Sequence, residues 1–122
     1  MGDFNDEPVS ASIRNILQAV SPDSLKRQGD LVNLMYSFTG RQGSHRYKGI
    51  WSMLDQFIAS KGLISPAEGL RLVHGSVCIF RGAFLMKEDL KYFGNKPFRT
   101  YNGLKYEGGF SDHLPVYLDL AY

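Results

Sequence analysis

Apolar residues recur with a helical period in two stretches near the start of the chain. In the first, they fall at i, i+3, i+4 and i+7 from Ile13 to Val20. This spacing predicts an amphipathic helix, with Ser10 as its N-cap. The same spacing from Leu31 to Phe38 predicts a short second helix.

Farther along the chain, the pattern favours strands. Apolar and aromatic runs predict strands over 51–58 and 75–80, and apolar residues that alternate with polar ones over 116–120 predict a last strand with one buried face. Residues 86–93 predict a short helix, and 95–109, rich in Gly, Lys, Arg and Tyr, predict a long loop. Because helices and strands alternate, the fold class is α/β or α+β.

The composition is that of an ordinary soluble globular protein, with 43% hydrophobic and 21% charged residues among 122. We therefore expect a single domain over 1–122. The chain has 14 Lys+Arg and 12 Asp+Glu, a formal net charge of +2. This is too small to indicate a general polyanion binder, although a locally basic face is compatible with it. No apolar run approaches the roughly 20 residues of a membrane-spanning helix.

Three short motifs carry residues suited to catalysis. Gly2–Asn5 reads Gly-Asp-Phe-Asn, Leu54–Phe57 reads Leu-Asp-Gln-Phe, and Ser111–Val116 reads Ser-Asp-His-Leu-Pro-Val. Each motif puts a polar side chain at the edge of an apolar strand, where a rigid backbone can aim it into a cleft.

In this order, the motifs resemble those of the endonuclease/exonuclease/phosphatase family, which includes deoxyribonuclease I, apurinic endonucleases, sphingomyelinases and inositol polyphosphate phosphatases. There a strand runs into Gly-Asp-Phe/Leu-Asn, a later strand carries an Asp, and Ser-Asp-His precedes the final strand. Residues 43–47 also resemble a Gly-Thr-His-Tyr stretch of bacterial members. The resemblance implies the C-terminal half of a deoxyribonuclease I-like four-layer sandwich, in which one mixed sheet carries helices on its outer face.

The resemblance also implies catalytic roles. Water that attacks phosphorus must lose a proton, and His113 would accept it. Asp55 would orient the imidazole by accepting its other N–H. Asp3 would position the water or share the proton, and Asn5 would donate its amide to the substrate's phosphoryl oxygens.

A divalent cation is implied as well, Mg²⁺ or Mn²⁺, with Asp112 beside it. His45 and Arg99 are candidate substrate contacts. A solvated turn histidine is about as compatible with the sequence at position 45. A solvated basic loop is at least as compatible at position 99. The substrate class stays open between nucleic acid, a lipid headgroup and a small phosphorylated metabolite.

One part of the family's site has no counterpart in this sequence. The N-terminal half of family members supplies a Glu that is the principal metal ligand, and no segment of this chain matches that half. Glu7, in a Pro-bounded turn after Asn5, is not assigned to this role. Two interpretations follow: a phosphoesterase whose C-terminal part is inactive or weakly active alone, or a non-enzymatic half-domain. Since a lone half would expose the inner face of its sheet, we expect a homo-oligomer that covers it.

Overall fold

The computed structural model describes residues 1–24 and 30–122. Over these residues the fold is mixed α+β, built mostly from short strands with few helices. Numbered β1 to β15 in chain order, the strands are Gly2–Asp3, Ala19–Val20, Leu31–Asn33, His45–Tyr47, Ile50–Ser52, Asp55–Gln56, Ile58–Ser60, Arg71–Leu72, Cys78–Ile79, Met86–Glu88, Asn95–Pro97, Tyr101–Asn102, Lys105–Tyr106, Val116–Tyr117 and Leu120–Ala121.

The helical segments are each a single turn. One is α-helical, Lys61–Ile64, and one is π-helical, Ser12–Ile16. The 3-10 turns are Pro22–Ser24, Tyr36–Phe38 and Ala83–Leu85. Within the described ranges, no helix has the length and apolar content to cross a bilayer.

The strands pair in several small sheets. The three-stranded sheet has the order β2-β3-β7, in which β2 is parallel and β7 antiparallel to β3. Antiparallel pairs are formed by β1 with β6, β4 with β5, β8 with β15, β9 with β14, β10 with β11, and β12 with β13. The described strands therefore lie in small sheets, whereas one mixed sheet was expected. Strands of two or three residues, separated by turns, give each pair only a short ladder.

A buried apolar cluster joins the three-stranded sheet to β9 and to the segment before β14. Two of its members, Met53 and Leu114, are within two residues of Asp55 and His113, so the core anchors the backbone that carries these side chains. The cluster consists of Val32, Leu34, Met35, Met53, Phe57, Ala59, Ile79 and Leu114.

A buried polar network fixes the turn that follows β1. Gln56 and Asn33 are completely inaccessible to solvent. The Asn33 amide donates to Gln56 Oε1 at 3.0 Å, and Gln56 Nε2 donates to the carbonyls of Asp6 at 2.9 Å and Met53 at 2.6 Å. Because buried polar groups are costly unless they are hydrogen-bonded, these contacts hold the Asp6 backbone to the core.

The first predicted helix is reduced to one turn. Its N-cap is Ala11 rather than Ser10, and the chain leaves the helical path at Gln18, whose φ is +57°. Ile13 is buried at 1% exposure, whereas Ile16 is 82% exposed. The apolar spacing was therefore not one buried stripe: Ile13 is fully buried and Val20 packs partly buried against the core, but Ile16 does not.

The other two predicted helices were wrong. Residues 31–33 form the central strand of the three-stranded sheet, and 86–88 pair with 95–97 in a hairpin. In this hairpin, the Asp89 carboxylate accepts the backbone N–H groups of Lys91 and Tyr92, each at 3.3 Å. Such side-chain contacts compete with helical hydrogen bonds and favour turns.

The predicted strands are present in shorter pieces. Residues 51–58 contain most of β5, all of β6 and the start of β7, while 75–80 contain only β9. Residues 116–120 are divided between β14 and β15. The predicted loop 95–109 contains β11 and a hairpin, β12–β13, with the fully exposed Leu104 at its tip.

Candidate active site

The pairing of β1 with β6 brings the first two motifs together. Asp3 lies opposite Asp55 in the antiparallel register, and the Phe4 N–H donates to the Leu54 carbonyl at 2.9 Å. Asn5 follows with a φ of +53°, a left-handed conformation that Asn adopts more readily than most residues. Its backbone N–H donates to Asp3 Oδ1 at 2.9 Å, which orients the Asp3 carboxylate.

The third motif meets the second through its histidine. His113 Nδ1 lies 2.7 Å from Asp55 Oδ2, and both side chains are largely buried. The Ser111 hydroxyl accepts the His113 backbone N–H at 3.0 Å, which fixes the turn that presents the imidazole. With Nδ1 paired to the carboxylate, Nε2 is the ring nitrogen left available to a reactant.

Ser44 holds both partners of this pair in place. It is fully buried, its carbonyl accepts the Leu114 N–H at 2.7 Å, and its hydroxyl accepts the Asp55 N–H at 3.4 Å. The sequence analysis did not identify Ser44 as a positioning residue. The sequence gives no signal for this role beyond the position of Ser44 next to His45.

His45 lies beside His113, joined to it by an antiparallel bridge, with ring centroids 4.8 Å apart. Burial lowers the pKa of His45 below its ordinary value, and its electrostatic interactions with His113 and Arg99 act in the same direction. The carboxylates of Asp112 and Asp3 oppose them. The net shift favours a neutral His45 imidazole, and the charge effect puts Arg99 in the neighbourhood of the site.

Two overlapping groups offer ligand atoms suited to a metal ion. Asp3, Asp55 and His113 form one group, and His45, Asp112 and His113 form the other, with the atoms of each group within 4.8 Å of one another. Carboxylates directly opposite each other on paired strands repel, and a bound cation relieves this repulsion. The exposed Asp112 carboxylate supplies the hard oxygen that Mg²⁺ and Mn²⁺ prefer. The residues present therefore fit a divalent cation.

The predicted site residues thus lie close together, although they differ in how they contribute. Five of them bring ligand atoms together in the two overlapping groups: Asp3, Asp55, His45, Asp112 and His113. Arg99 acts on His45 through its charge. For Asn5, the contact seen is the backbone N–H on Asp3.

Glu7 belongs to neither of these groups. Its Oε1 accepts the Met53 N–H at 3.1 Å. Its buried Oε2 has no hydrogen-bond partner among the described residues. This geometry agrees with leaving Glu7 out of the metal site.

Comparison with known proteins gives the family. The family model described as Endonuclease/Exonuclease/phosphatase family matches residues 1–122, the whole chain. The chain therefore belongs to this family, whose members are hydrolases that act on ester bonds of phosphorylated substrates and which implies a deoxyribonuclease I-like fold. Family enzymes are typically dependent on a divalent metal. No curated protein and no solved structure matches the chain significantly.

Proposed function

We propose that this chain is the C-terminal part of a metal-dependent phosphoesterase in which His113 activates the attacking water. The observation that carries the proposal is the 2.7 Å contact between His113 Nδ1 and Asp55 Oδ2, with Asp3 opposite Asp55 on the neighbouring strand. A carboxylate that accepts the Nδ1 proton leaves Nε2 as the basic nitrogen.

In the proposed reaction, His113 Nε2 takes a proton as the water oxygen bonds to phosphorus and the bond from phosphorus to the leaving oxygen breaks. The Asp55 carboxylate holds the ring orientation and stabilises the imidazolium that forms. Asp3 accepts a hydrogen bond from the water, which keeps its oxygen in line with the phosphorus. The same imidazolium then returns its proton to the departing oxygen or to solvent.

The substrate's phosphoryl oxygens gain negative charge as water attacks, and we assign their stabilisation to three groups. Asn5 offers an exposed side-chain amide. A neutral His45 offers a ring N–H, and Arg99 offers a full positive charge nearby. Preorganised donors of this kind lower the barrier because the charge they meet is larger in the transition state.

Asp112 is the residue of this chain that we assign to the metal, Mg²⁺ or Mn²⁺. When bound, the cation supplies charge neutralisation at the phosphoryl oxygens. Mg²⁺ requires several well-placed oxygens, so a site built around a single assigned carboxylate should bind it weakly. We therefore propose that the Glu typical of the family comes from a preceding segment, and that this chain alone has little or no activity.

The proposed architecture is half of a four-layer sandwich, residues 1–122 forming the C-terminal half. The exposure of Asp3, Asn5 and Asp112 supports it, because side chains that bind a phosphate in a cleft need a second wall. A preceding segment would provide that wall.

A hydrolysis assay tests this function. The chain alone and the protein extended by its preceding segment are each incubated with bis(p-nitrophenyl) phosphate or p-nitrophenyl phosphate in millimolar Mg²⁺ or Mn²⁺, with EDTA as the control. We expect metal-dependent release of p-nitrophenol from the extended protein and little from the chain alone. A folded extended protein that hydrolyses neither ester would reject the enzymatic proposal. His113-dependent turnover by the chain alone would reject the missing-ligand part of it.

We also propose that the chain self-associates when the preceding segment is absent, as the non-enzymatic interpretation likewise requires. Phe80, Phe84 and Phe110 support this. They are 42%, 60% and 59% exposed, and their rings contact in sequence at centroid distances of 6.2 and 5.6 Å. Contiguous exposed apolar surface commonly marks an interaction site.

Light scattering at micromolar concentration checks the self-association. We expect a dimer or larger species that Phe84→Glu converts to monomer, because a carboxylate in the aromatic patch would be desolvated by the partner. Leu104→Glu is the matched control, since Leu104 is fully exposed at a distant hairpin tip. A monodisperse monomer of the unmodified chain would contradict the proposal.

A further inference from the structure

A concave groove of about 300 Å³ lies between the hairpin β10–β11, the strand β4 and the loop that precedes β12. It contains a concentration of positive charge that neither the motifs nor the family assignment explains. The cations that line it are Arg46, Lys48, Lys87, Lys91, Lys96 and Arg99.

The formal charge of the groove exceeds the net charge of the whole protein. Six cations line it against two carboxylates, Asp89 and Glu107, in a chain with 14 basic and 12 acidic residues. The groove is thus at a formal +4, and the rest of the chain is at −2. Charge concentrated in a concave surface focuses its field and attracts anions, although the net charge of the protein is small.

Two of the groove's four lysines pair with its carboxylates and two do not. Lys87 pairs with Glu107 at 2.6 Å, and Lys96 lies 3.6 Å from Asp89. Lys48 and Lys91 are exposed, and within the described part of the chain neither ammonium group pairs with a carboxylate. Each lies instead over a neighbouring tyrosine ring.

The wall of the groove is rigid where it meets the active site. Arg46, next to His45 on β4, is largely buried. Its guanidinium pairs with Asp89 at 3.2 Å and donates to the carbonyls of Phe93 at 2.8 Å and Asn95 at 3.3 Å. These contacts clamp the β10–β11 hairpin to the strand that carries His45. Arg99 lines the groove, and its charge also reaches His45.

We propose that this groove binds a phosphate group other than the one that is hydrolysed, so that the substrate carries at least two phosphates. Lys48 and Lys91 are the contacts with free ammonium groups, and Arg99 connects the groove to the active site. This inference rests on the proposed phosphoesterase function and restricts its substrate class. Such a phosphate has two possible sources: a nucleic acid chain and a small molecule with several phosphates. A simple phosphomonoester has only the scissile group.

Equilibrium binding without turnover tests the groove separately from catalysis. Fluorescently labelled single-stranded oligothymidylate is titrated with the chain in EDTA at low salt, and binding of inositol hexakisphosphate is measured separately by isothermal titration calorimetry. We expect the double variant Lys48→Glu/Lys91→Glu to raise the dissociation constant about 10-fold or more. The slope of its logarithm against the logarithm of salt concentration should fall by roughly one per lysine, because fewer counterions are released. Arg14→Glu/Arg71→Glu is the matched control, because it makes the same charge change at exposed residues outside the groove.

The outcomes separate this inference from the enzymatic proposal. Groove variants that weaken binding while the control does not would support the site, even if no ester is hydrolysed. If the groove variants also weaken binding when His113→Ala is present, the groove binds phosphate independently of the reaction. Equal weakening by both charge-reversal variants, or no binding of either probe by the unmodified chain, would overturn the inference. Binding of the oligothymidylate or of the hexakisphosphate alone would support the site and identify the source of the phosphate.

Discussion

Replacement of His113 by alanine in the extended enzyme is expected to reduce kcat for phosphodiester hydrolysis by about 10²–10⁴-fold, the usual contribution of a positioned general base. His113 contacts the Asp55 carboxylate and belongs to both groups of ligand atoms around the site. Without the imidazole, the attacking water must lose its proton to solvent. Asp55→Asn should reduce kcat in the same direction, because an amide can no longer accept the Nδ1 proton.

Two further measurements distinguish a catalytic role for His113 from a structural one. Free imidazole added to His113→Ala should restore part of the lost rate, since a diffusible base can enter the vacated space. His74→Ala is the matched control, because His74 is exposed and does not belong to either group of ligand atoms. It should leave kcat unchanged. Full activity in His113→Ala would remove the basis of the proposed mechanism.

Gly43→Ala is expected to destabilise the fold, with a loss of about 1–3 kcal/mol or more from the free energy of unfolding. A Cβ at position 43 would lie 2.4 Å from the backbone oxygen of Ser52 and 2.5 Å from its nitrogen. Backbone atoms of a paired strand cannot move aside as a flexible side chain does. The strand β4 would have to separate from β5.

Urea denaturation of the chain measures this loss. Gly2→Ala is the matched control, because a Cβ at that position has no atom within 4 Å and the glycine has no positive φ. Displacement of β4 should also move Ser44, so the amide resonances of Asp55 and Leu114 should shift in Gly43→Ala. An unchanged urea midpoint would show that the strands accommodate the methyl group at little cost.

The three motifs could be identified from sequence because catalytic chemistry restricts residue type and order. Asp3, Asp55 and His113 each stand in a short, recognisable context, and the structure brings their side chains together. The helical period was a poorer guide. Residues 31–38 and 86–93 have helical spacing, yet tertiary pairing makes strands of 31–33 and 86–88. Local spacing contains no information on the partner strand that decides between these outcomes.

Features that depend on distant segments could not be read from the sequence at all. The basic groove draws its cations from three stretches, Arg46–Lys48, Lys87–Lys96 and Arg99, and none of these has a formal net charge above +2 by itself. A net charge of +2 was too small to indicate a general polyanion binder. Charge segregation on folding weakens that argument. Ser44 was likewise hidden, because its importance comes from contacts with residues 55 and 114 rather than from its own type.

The His113–Asp55 contact joins positions that are 58 residues apart. Contacts of such long sequence separation require closure of a large loop and are typically completed late in folding. Catalytic competence would then appear only in fully assembled molecules. A nick at the hairpin tip near Leu104 would put the base and its orienting carboxylate on different fragments. Recovery of hydrolytic activity when the two fragments recombine would then measure tertiary assembly directly, with no optical label attached to the protein.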